Sequence, residues 1–340
     1  MIKDYKNIEL VFITDDNYVM PTLVAITSVV ENSCKCTIYN INVICKNLNH
    51  DNINKIKSCE RNNCIINIIE VNPNDDNKLK QSHNAVSLAA LLKFDIPNIL
   101  PNVNKVLYLD GDVIVRDDLK KLFHIDVEDY YCAAIPDGPR KKAIDKNKEH
   151  SFSADKSYFN SGVMLMNLTK MRDDEITSKL INYRLNSFNY FMDQDAFNQV
   201  LKGKVLLLPL NYNTLLHLIM PTWNMSDLNT LTKYYHMKEI SSYDELLYMS
   251  SIIHYTFAKP WKYFDIPMAE SWQYYYYLSP YCDVRLNRKS YYRELYSSNS
   301  YRLGHMLTRP IVYLILNYKK INRNLKIVRS SFSIILPASI

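Results

Sequence analysis

A short apolar segment interrupted by two carboxylates restricts the possible folds of this chain more than any other feature of the sequence. Residues 106–109 are apolar and end in Asp110, Gly111 and Asp112, and three more aliphatic residues follow at 113–115. Such a run predicts a strand that is buried on both faces. Two carboxylates at the end of a buried strand are costly unless a cation pairs with them, and Gly111 leaves room for a ligand to approach. We therefore expect a divalent cation, Mn2+ or Mg2+, that shares its coordination sphere with phosphates.

Three other interpretations use the same acidic pair. One is a solvated acidic turn, which any single Asp-x-Asp pair permits. A calcium loop starting at Asp110 needs glycine at its sixth position and glutamate at its twelfth, where this chain has Val115 and Lys121, so that loop is excluded. A phosphatase of the haloacid dehalogenase type would use Asp110 as nucleophile and Asp112 as acid/base. It expects a threonine or serine shortly afterwards, where Val113 and its aliphatic neighbour stand instead.

The order of apolar and polar segments predicts an α/β fold. A first buried strand at 8–13 leads through a polar turn into a helix at 20–31. Ligands of such folds bind at the carboxyl ends of the strands, where Asp15, Asn17 and Tyr18 fall. These side chains would hold a nucleoside, with its base stacked on Tyr18. The alternative is that one of the acidic or amide side chains caps the helix.

Further strands and helices alternate along the chain, which predicts a mostly parallel central sheet flanked by helices. We expect strands at 37–45, 65–71, 130–135, 158–168 and 204–208, and helices at 50–60, 85–93, 170–188 and from Met192 onward, with Pro97 and Pro101 breaking the helical pattern. The aperiodic segment 137–157 predicts a lid over a substrate. The absence of Gly-x-Gly-x-x-Gly and Walker sequences excludes a dinucleotide fingerprint and a P-loop.

A third polar group follows a short apolar strand near residue 252. His254 ends that strand and is either a metal ligand or a structural histidine. Lys259 precedes Pro260 and Trp261, and it either meets a phosphate as a point charge or is an exposed lysine.

The charge of the chain is concentrated in its tail. The formal net charge is +6, and seven basic but no acidic residues follow Glu294, which leaves residues 1–294 at −1. A neutral body argues against a nucleic-acid partner. The basic, amphipathic segment 303–328 instead predicts contact with the anionic inner surface of a membrane, although a helix packed on the body is the alternative. We accordingly divide the chain into a catalytic domain, 1–265, and a Tyr-rich, basic, helical C-terminal extension, 266–340.

The cysteines predict neither a zinc site nor a disulfide framework. There are seven, an odd and scattered set without a Cys-x2-Cys pair: Cys34, Cys36, Cys45, Cys59, Cys64, Cys132 and Cys282. Reduced thiols in the cytoplasm fit this pattern. The N-terminal residues carry no apolar signal-peptide core, and no stretch reaches about 18 uninterrupted apolar residues.

Five of these stretches, taken in order, are similar to one family. The chain resembles glycosyltransferase family 8, the group of bacterial lipopolysaccharide galactosyl- and glucosyltransferases and, more distantly, glycogenin. The matching stretches are 12–18, 107–113, 158–163, 193–195 and 254–261. The resemblance implies a GT-A type, Rossmann-like fold, a UDP-hexose donor, retention of the anomeric configuration, and Mn2+ held by Asp110, Asp112 and His254, with Mg2+ as the other possible ion.

The resemblance also implies how the donor is held. The residues that would bind the nucleoside, the diphosphate and the donor sugar, or form the metal-binding loop, are Asp15, Asn17, Tyr18, Lys93, Gly111, Asn160, Ser161, Asp193, Gln194, Asp195 and Lys259. Two positions depart from the family. Lys93 stands where an arginine is usual, so bidentate geometry is lost. The segment from His254 to Lys259 is one residue shorter than usual and has Phe257 in place of a glycine.

Together these observations predict a hexosyltransferase of bacterial lipopolysaccharide or surface-glycan synthesis. A metal and a lysine would stabilise the departing diphosphate, and Gln194 or Asp195 would assist at the sugar while Asp193 orients a hydroxyl. The acceptor would be a saccharide or glycolipid, and the enzyme would lie in the cytoplasm, peripheral on the inner face of the cell membrane. A non-catalytic nucleotide-sugar binder is a further alternative.

Overall fold

The computed structural model describes residues 7–71, 88–139, 157–187, 191–220 and 227–297. The chain divides into two compact units, Met1–Arg288 and Lys289–Ile340. The predicted basic tail at 303–328 and most of the predicted lid at 137–157 lie outside the described residues. Among the helices that are described, none combines the length and the apolar character needed to cross a membrane.

The described elements alternate between strands and helices. The strands are β1 (Asn7–Thr14), β2 (Ile38–Cys45), β3 (Cys64–Glu70), β4 (Lys105–Leu109), β5 (Val113–Val115), β6 (Cys132–Pro136), β7 (Phe159–Asn167), β8 (Val205–Leu207), β9 (Thr214–Leu215) and β10 (Ile252–His254). The helices of the first unit are α1 (Val19–Asn32), α2 (His50–Lys57), α3 (Leu88–Ile99), α4 (Lys120–Phe123), α5 (Leu168–Asp173), α6 (Ile176–Asn186), α7 (Met192–Val200), α8 (Leu228–Tyr234), α9 (Tyr243–Tyr248) and α10 (Ala269–Leu278). The second unit contributes α11 (Tyr291–Ser297).

A seven-stranded sheet in the order β3-β2-β1-β4-β7-β6-β8 forms the centre of the first unit. The strand β1 runs parallel to β2 and β4, whereas β7 runs antiparallel to β4 and β6. The predicted α/β fold with a mostly parallel sheet is confirmed. Because β1 and β4 end at the same edge and β7 begins there, the segments after Thr14 and Leu109 meet the segment before Val163. Open α/β sheets bind ligands at such an edge.

A second, smaller sheet, which the sequence pattern did not reveal, completes this edge. Its order is β5-β10-β9. The strand β10 pairs antiparallel with β5, so that His254 lies opposite Val113, and the Tyr255 amide donates to the Asp112 carbonyl at 2.9 Å. This pairing carries His254 to Asp112 across a large separation in sequence.

The helices pack in two groups. The helices α3, α5, α6 and α7 contact one another over a core that includes Phe94, Phe197 and Leu180. The helix α1 contacts β5 and α10. Trp272 of α10 is fully buried, and the Tyr275 hydroxyl accepts a hydrogen bond from the Asn32 amide at 2.8 Å. The first part of the predicted extension is thus packed within the first unit, and a functional boundary after residue 265 stays a prediction.

Two helix boundaries differ from the sequence prediction. The helix α3 continues past the expected break and contains Pro97 in its last turn. A proline there lacks only one backbone donor, and the helix ends two residues later. The predicted helix at 170–188 is two helices, because Glu175 between them has a left-handed φ of 51°, which interrupts the α-helical hydrogen bonds.

The end of α3 is held by one side chain from α5. The Arg172 guanidinium donates to the carbonyl oxygens of Pro97 at 3.0 Å, Leu100 at 3.2 Å and Val103 at 3.0 Å. The Pro97 carbonyl belongs to the last turn of α3 and the other two lie just beyond it, where no intrahelical donor is left.

Replacing Arg172 with methionine should therefore destabilise the protein. We expect Arg172→Met to lower the free energy of unfolding by about 1.5–3 kcal/mol, because hydrogen bonds to a charged donor are lost from partly buried carbonyls. Denaturant unfolding followed by circular dichroism measures this. Lys179→Met, at an exposed position of α6, is the control and should change the value by less than about 0.5 kcal/mol. Equal effects of the two substitutions would contradict this role of Arg172.

Candidate active site

Three potential metal ligands meet at the edge shared by the two sheets. One ligand atom each from Asp110, Asp112 and His254 lies within 4.8 Å of the others. The His254 Nε2 atom is 3.2 Å from Asp112 Oδ1 and 3.7 Å from Asp110 Oδ2. The three side chains that the sequence assigned to the metal are therefore together.

Two glycines make this close arrangement possible. A Cβ atom on Gly162 would lie 2.6 Å from Asp110 Oδ2 and would collide with the His254 ring. A Cβ atom on Gly111 would collide with the Thr22 hydroxyl and lie 3.2 Å from the Tyr18 ring. Glycine is thus required at position 111 because the acidic loop packs directly against the start of α1.

His254 is oriented by a buried amide. Its Nδ1 atom lies 3.1 Å from Asn213 Oδ1, and the Asn213 amide nitrogen donates to Asn160 Oδ1 at 3.0 Å. With Nδ1 as the donor, the Nε2 lone pair faces the two carboxylates, which is the tautomer that a metal requires. Asn213 is fully buried, so it has no water with which to exchange these partners.

The Asp112 carboxylate is the most strongly perturbed acid of the site. It is 7% exposed and lies in contact with the His254 ring and the Lys259 ammonium. Burial acts to raise the pKa of Asp112, but the neighbouring His254 and Lys259 outweigh it and lower the pKa below the usual value. The carboxylate is therefore ionised and ready to bind a cation at neutral pH. Lys259, predicted to meet the diphosphate, contacts the metal loop directly.

Lys93 connects the metal cluster to α7. Its ammonium group is 2.7 Å from Asp193 Oδ2, 3.3 Å from Asp110 Oδ1 and 3.3 Å from the Ser161 carbonyl oxygen. Burial acts to lower the pKa of Lys93, but the carboxylates of Asp110 and Asp193 outweigh it and raise the pKa. Lys93, where the family usually has arginine, thus places a single positive charge between the carboxylates of Asp110 and Asp193. Tyr108 adds a hydroxyl that donates to Asp110 Oδ1 at 2.6 Å.

The residues assigned to the donor sugar form one hydrogen-bonded group. The Asn160 amide nitrogen donates to Gln194 Oε1 and to Asp137 Oδ1, each at 3.0 Å. The Ser161 backbone amide also donates to Gln194 Oε1, at 3.3 Å, and the Ser161 hydroxyl donates to Asp193 Oδ2 at 2.9 Å. The start of β7 and the first turn of α7 are held together by these bonds.

Asp195 differs from its neighbours Asp193 and Gln194. It is 1% exposed, and its two oxygens accept from the Tyr158 hydroxyl at 2.6 Å and from the Phe191 amide at 2.8 Å. Both oxygens therefore have partners within the protein, at the beginning of α7.

The predicted nucleoside residues are only partly joined to this group. The Tyr18 ring contacts Trp261 edge-to-face with centroids 5.8 Å apart, and burial together with Asp112 and Asp110 raises the pKa of its hydroxyl. Asp15 and Asn17 lie on the exposed turn before it. Asp15 Oδ1 accepts from the backbone amides of Asn17 and Tyr18 at 3.0 and 2.9 Å, within the turn itself. The N-cap of α1 is Tyr18, and no side chain caps the helix there, so the capping alternative is wrong.

Sequence reasoning missed several residues of the site. These are Tyr108, Asp137, Tyr158, Gly162 and Asn213. Tyr108, Tyr158 and Gly162 stand inside the matching stretches 107–113 and 158–163, so their contacts could have been suspected from strand geometry. Asn213 follows β8 in a polar turn, and Asp137 follows β6, so strand-end position was the available signal.

The donor set suits a hard or borderline divalent cation. Two carboxylates and one imidazole nitrogen with a fixed tautomer match Mn2+, while Mg2+ prefers oxygen ligands. An open sphere would remain for phosphate oxygens, because only three protein ligands converge among the described residues.

A comparison with protein families decides the classification. Residues 9–265 match the sequence model of glycosyl transferase family 8. This chain belongs to that family. The predicted resemblance is confirmed, and the haloacid dehalogenase-like phosphatase is left without support.

The similarity to individual proteins and solved structures is moderate. A putative glycosyltransferase of Haemophilus influenzae is 28% identical over 61% of this chain and 63% of its own length. A lipopolysaccharide 1,2-glucosyltransferase of Escherichia coli is 30% identical over 50% of each chain. This chain thus spans one half to under two thirds of these two relatives. The galactosyltransferase LgtC, solved with donor and acceptor sugar analogs, superposes with a TM-score of 0.62 at 24% identity, covering 80% of this chain and 96% of LgtC. The GT-A fold is confirmed by this likeness.

The orienting role of Asn213 can be measured through metal affinity. We expect Asn213→Leu to weaken Mn2+ binding by about 10–100-fold, because the His254 ring loses its hydrogen-bond acceptor. Titration of Mn2+ followed by electron paramagnetic resonance gives the affinity directly. The matched control is Asn211→Leu, two residues earlier on the same turn, which should leave the affinity unchanged. Unchanged affinity in Asn213→Leu, with the fold intact by circular dichroism, would refute this role.

Proposed function

We propose that this protein is a metal-dependent, retaining hexosyltransferase that uses a UDP-sugar donor. The observation that carries the proposal is the contact between two groups in a family 8 chain. The ligands Asp110, Asp112 and His254 adjoin the polar cluster of Asn160 and Gln194, through Asn213 on one side and Lys93 on the other. The metal ligands would hold a diphosphate through a bound cation, and the polar cluster would hydrogen-bond to the hydroxyls of a hexose.

The donor would lie across the edge of the central sheet. Tyr18 would offer its ring to the nucleobase, beside the turn formed by Asp15 and Asn17. Lys259 would turn from Asp112 to the diphosphate, because an ammonium group next to a metal carboxylate is already placed where phosphate charge would arrive. The start of β7, at Asn160, would hold the sugar.

The chemistry requires charge stabilisation on one side of the scissile bond and support on the other. A bound Mn2+ would supply positive charge to the departing diphosphate without a proton. Lys259 would add a second positive charge there. At the sugar, an oxocarbenium-like centre develops, and an oxygen on the open face stabilises it.

The hydrogen bonds of α7 support different roles for the two candidates. Both Asp195 oxygens accept from protein donors at a site that is 1% exposed, so we assign Asp195 to positioning α7. The Gln194 side-chain oxygen accepts hydrogen bonds from Asn160 and Ser161. These two residues would themselves contact the donor sugar, so Gln194 would lie beside it. We therefore assign the assisting role to Gln194 and the orientation of a sugar hydroxyl to Asp193.

The acceptor and the cellular setting rest on the relatives and on the tail. One relative is named a lipopolysaccharide 1,2-glucosyltransferase, so we propose a saccharide or glycolipid acceptor in lipopolysaccharide or surface-glycan synthesis. The seven basic residues after Glu294 suit an anionic membrane surface. The enzyme would then act in the cytoplasm, bound peripherally to the inner face of the membrane.

Release of nucleotide from a donor tests the proposal. Purified protein is incubated with Mn2+ and each common nucleotide sugar, and free nucleotide is measured with and without chelator. The proposal expects release from one UDP-sugar that chelator suppresses. No release, with UDP and Mn2+ still bound in a calorimetric titration, would indicate a non-catalytic binder; absence of UDP binding would refute the proposal altogether.

The metal carboxylates should be indispensable for that release. We expect Asp110→Ala and Asp112→Ala each to lower the rate by at least about 100-fold, since loss of several kcal/mol of charge stabilisation exceeds two factors of ten. Both variants should retain the circular dichroism spectrum of the parent. A variant that keeps substantial activity with metal present would overturn the metal assignment. Asp117→Ala, at an exposed acid beyond β5, is the control and should remain active.

The tail should carry membrane binding. Deleting residues 300–340 is expected to abolish cosedimentation with vesicles of phosphatidylcholine and phosphatidylglycerol, and binding of the full chain should fall at 1 M salt, where the screening length is about 3 Å. Vesicles of phosphatidylcholine alone are the control. Undiminished sedimentation of the truncated protein would count against this role.

A further inference from the structure

Two exposed cysteines lie side by side at the turn between α1 and β2. The sulfur atoms of Cys34 and Cys36 are 2.6 Å apart, and both side chains are exposed. The remaining cysteines are scattered: four are buried, and the exposed Cys282 stands by itself near the end of the first unit. The Cys-x-Cys spacing of this pair is not that of a zinc site.

The backbone of this turn is fixed from several directions. The Cys34 amide donates to Asp118 Oδ2 at 2.7 Å, and the Cys34 carbonyl accepts from the Thr37 amide at 2.9 Å and from the Asn63 side chain at 3.2 Å. These bonds restrain both sides of the pair. The two sulfur atoms are therefore neighbours because of the fold.

The surroundings favour the thiolate form of one member. The hydrogen bond from Cys34 lowers the pKa of the Cys36 thiol, and the charge of Lys120 adds to this effect. Thiolates, and not thiols, attack disulfides, and an exposed thiolate with a second thiol beside it is the arrangement that redox-sensitive pairs use.

We propose that Cys34 and Cys36 form a thiol–disulfide modification site, which reacts with small disulfides such as glutathione disulfide. The Cys36 thiolate attacks one sulfur of the oxidant, forms a mixed disulfide and expels one glutathione thiolate. Cys34 then gives up its proton and attacks the Cys36 sulfur, which forms the Cys34–Cys36 bond and expels the second glutathione. The protein pair loses two electrons and two protons, and the oxidant is reduced to two thiols. This site is independent of the proposed transferase activity.

Mass spectrometry of the full-length protein tests the proposal with an internal control. The reduced protein is incubated with glutathione disulfide, free thiols are blocked, and the protein is digested with trypsin. Cleavage after Lys35, which lies between the two cysteines, leaves their peptides joined only if the disulfide has formed. We expect the two peptides to be linked by a disulfide and to carry no glutathione, whereas Cys282 should carry a glutathione adduct.

Three variants sharpen the result. Cys34→Ser should accumulate glutathione on Cys36, and Cys36→Ser should leave no linked peptides, since each has lost one partner. Cys282→Ser should still yield the linked pair. Separate glutathione adducts on Cys34 and Cys36 in the unmodified chain, or unreacted Cys34 and Cys36 while Cys282 is modified, would overturn the proposal. A linkage of either residue to another cysteine would overturn it as well.

Discussion

The structure depends on holding two carboxylates and an imidazole within a few ångströms of one another at the end of a buried strand. Asp110 and Asp112 follow β4, and His254 arrives on β10, which pairs with β5. Buried carboxylates are costly without positive partners. The site therefore contains Lys93 and Lys259, one on each acid, and glycine at 162, where a side chain would strike both Asp110 and His254.

The same compensation links the metal ligands to the sugar-facing residues. Lys93 contacts Asp110 on one side and Asp193 on the other, while Asn213 joins the His254 ring to Asn160. Side chains in such a network have few alternative partners, because most of them are buried. Preorganised groups of this kind stabilise developing charge without having to reorient during the reaction. The proposed transfer thus draws on the interactions that make the buried charges tolerable in the folded protein.

Local sequence was sufficient to predict much of the fold and the metal ligands. Residues 10–13 and 106–109 are continuous apolar runs, and they lie in the adjacent parallel strands β1 and β4. The second sheet was not predicted, because β5, β9 and β10 have only two or three residues each and no periodicity can develop. Asn213 was missed for a related reason: an asparagine in a turn has many local uses, and only the long-range pairing of β9 with β10 brings it to His254. The left-handed conformation at position 175 was not predicted, because the residue there is a glutamate and not a glycine.

Electron spin-echo spectroscopy of bound Mn2+ tests the central claim most directly. The protein is labelled with 15N-histidine and loaded with Mn2+ and UDP, and the nitrogen modulation is compared with that of His254→Ala. The account predicts coupling to one directly bound imidazole nitrogen, a change in that coupling on 15N labelling, and its loss in His254→Ala but not in His217→Gln. Mn2+ bound without any histidine nitrogen, or coupling that survives in His254→Ala, would contradict a metal site built from Asp110, Asp112 and His254.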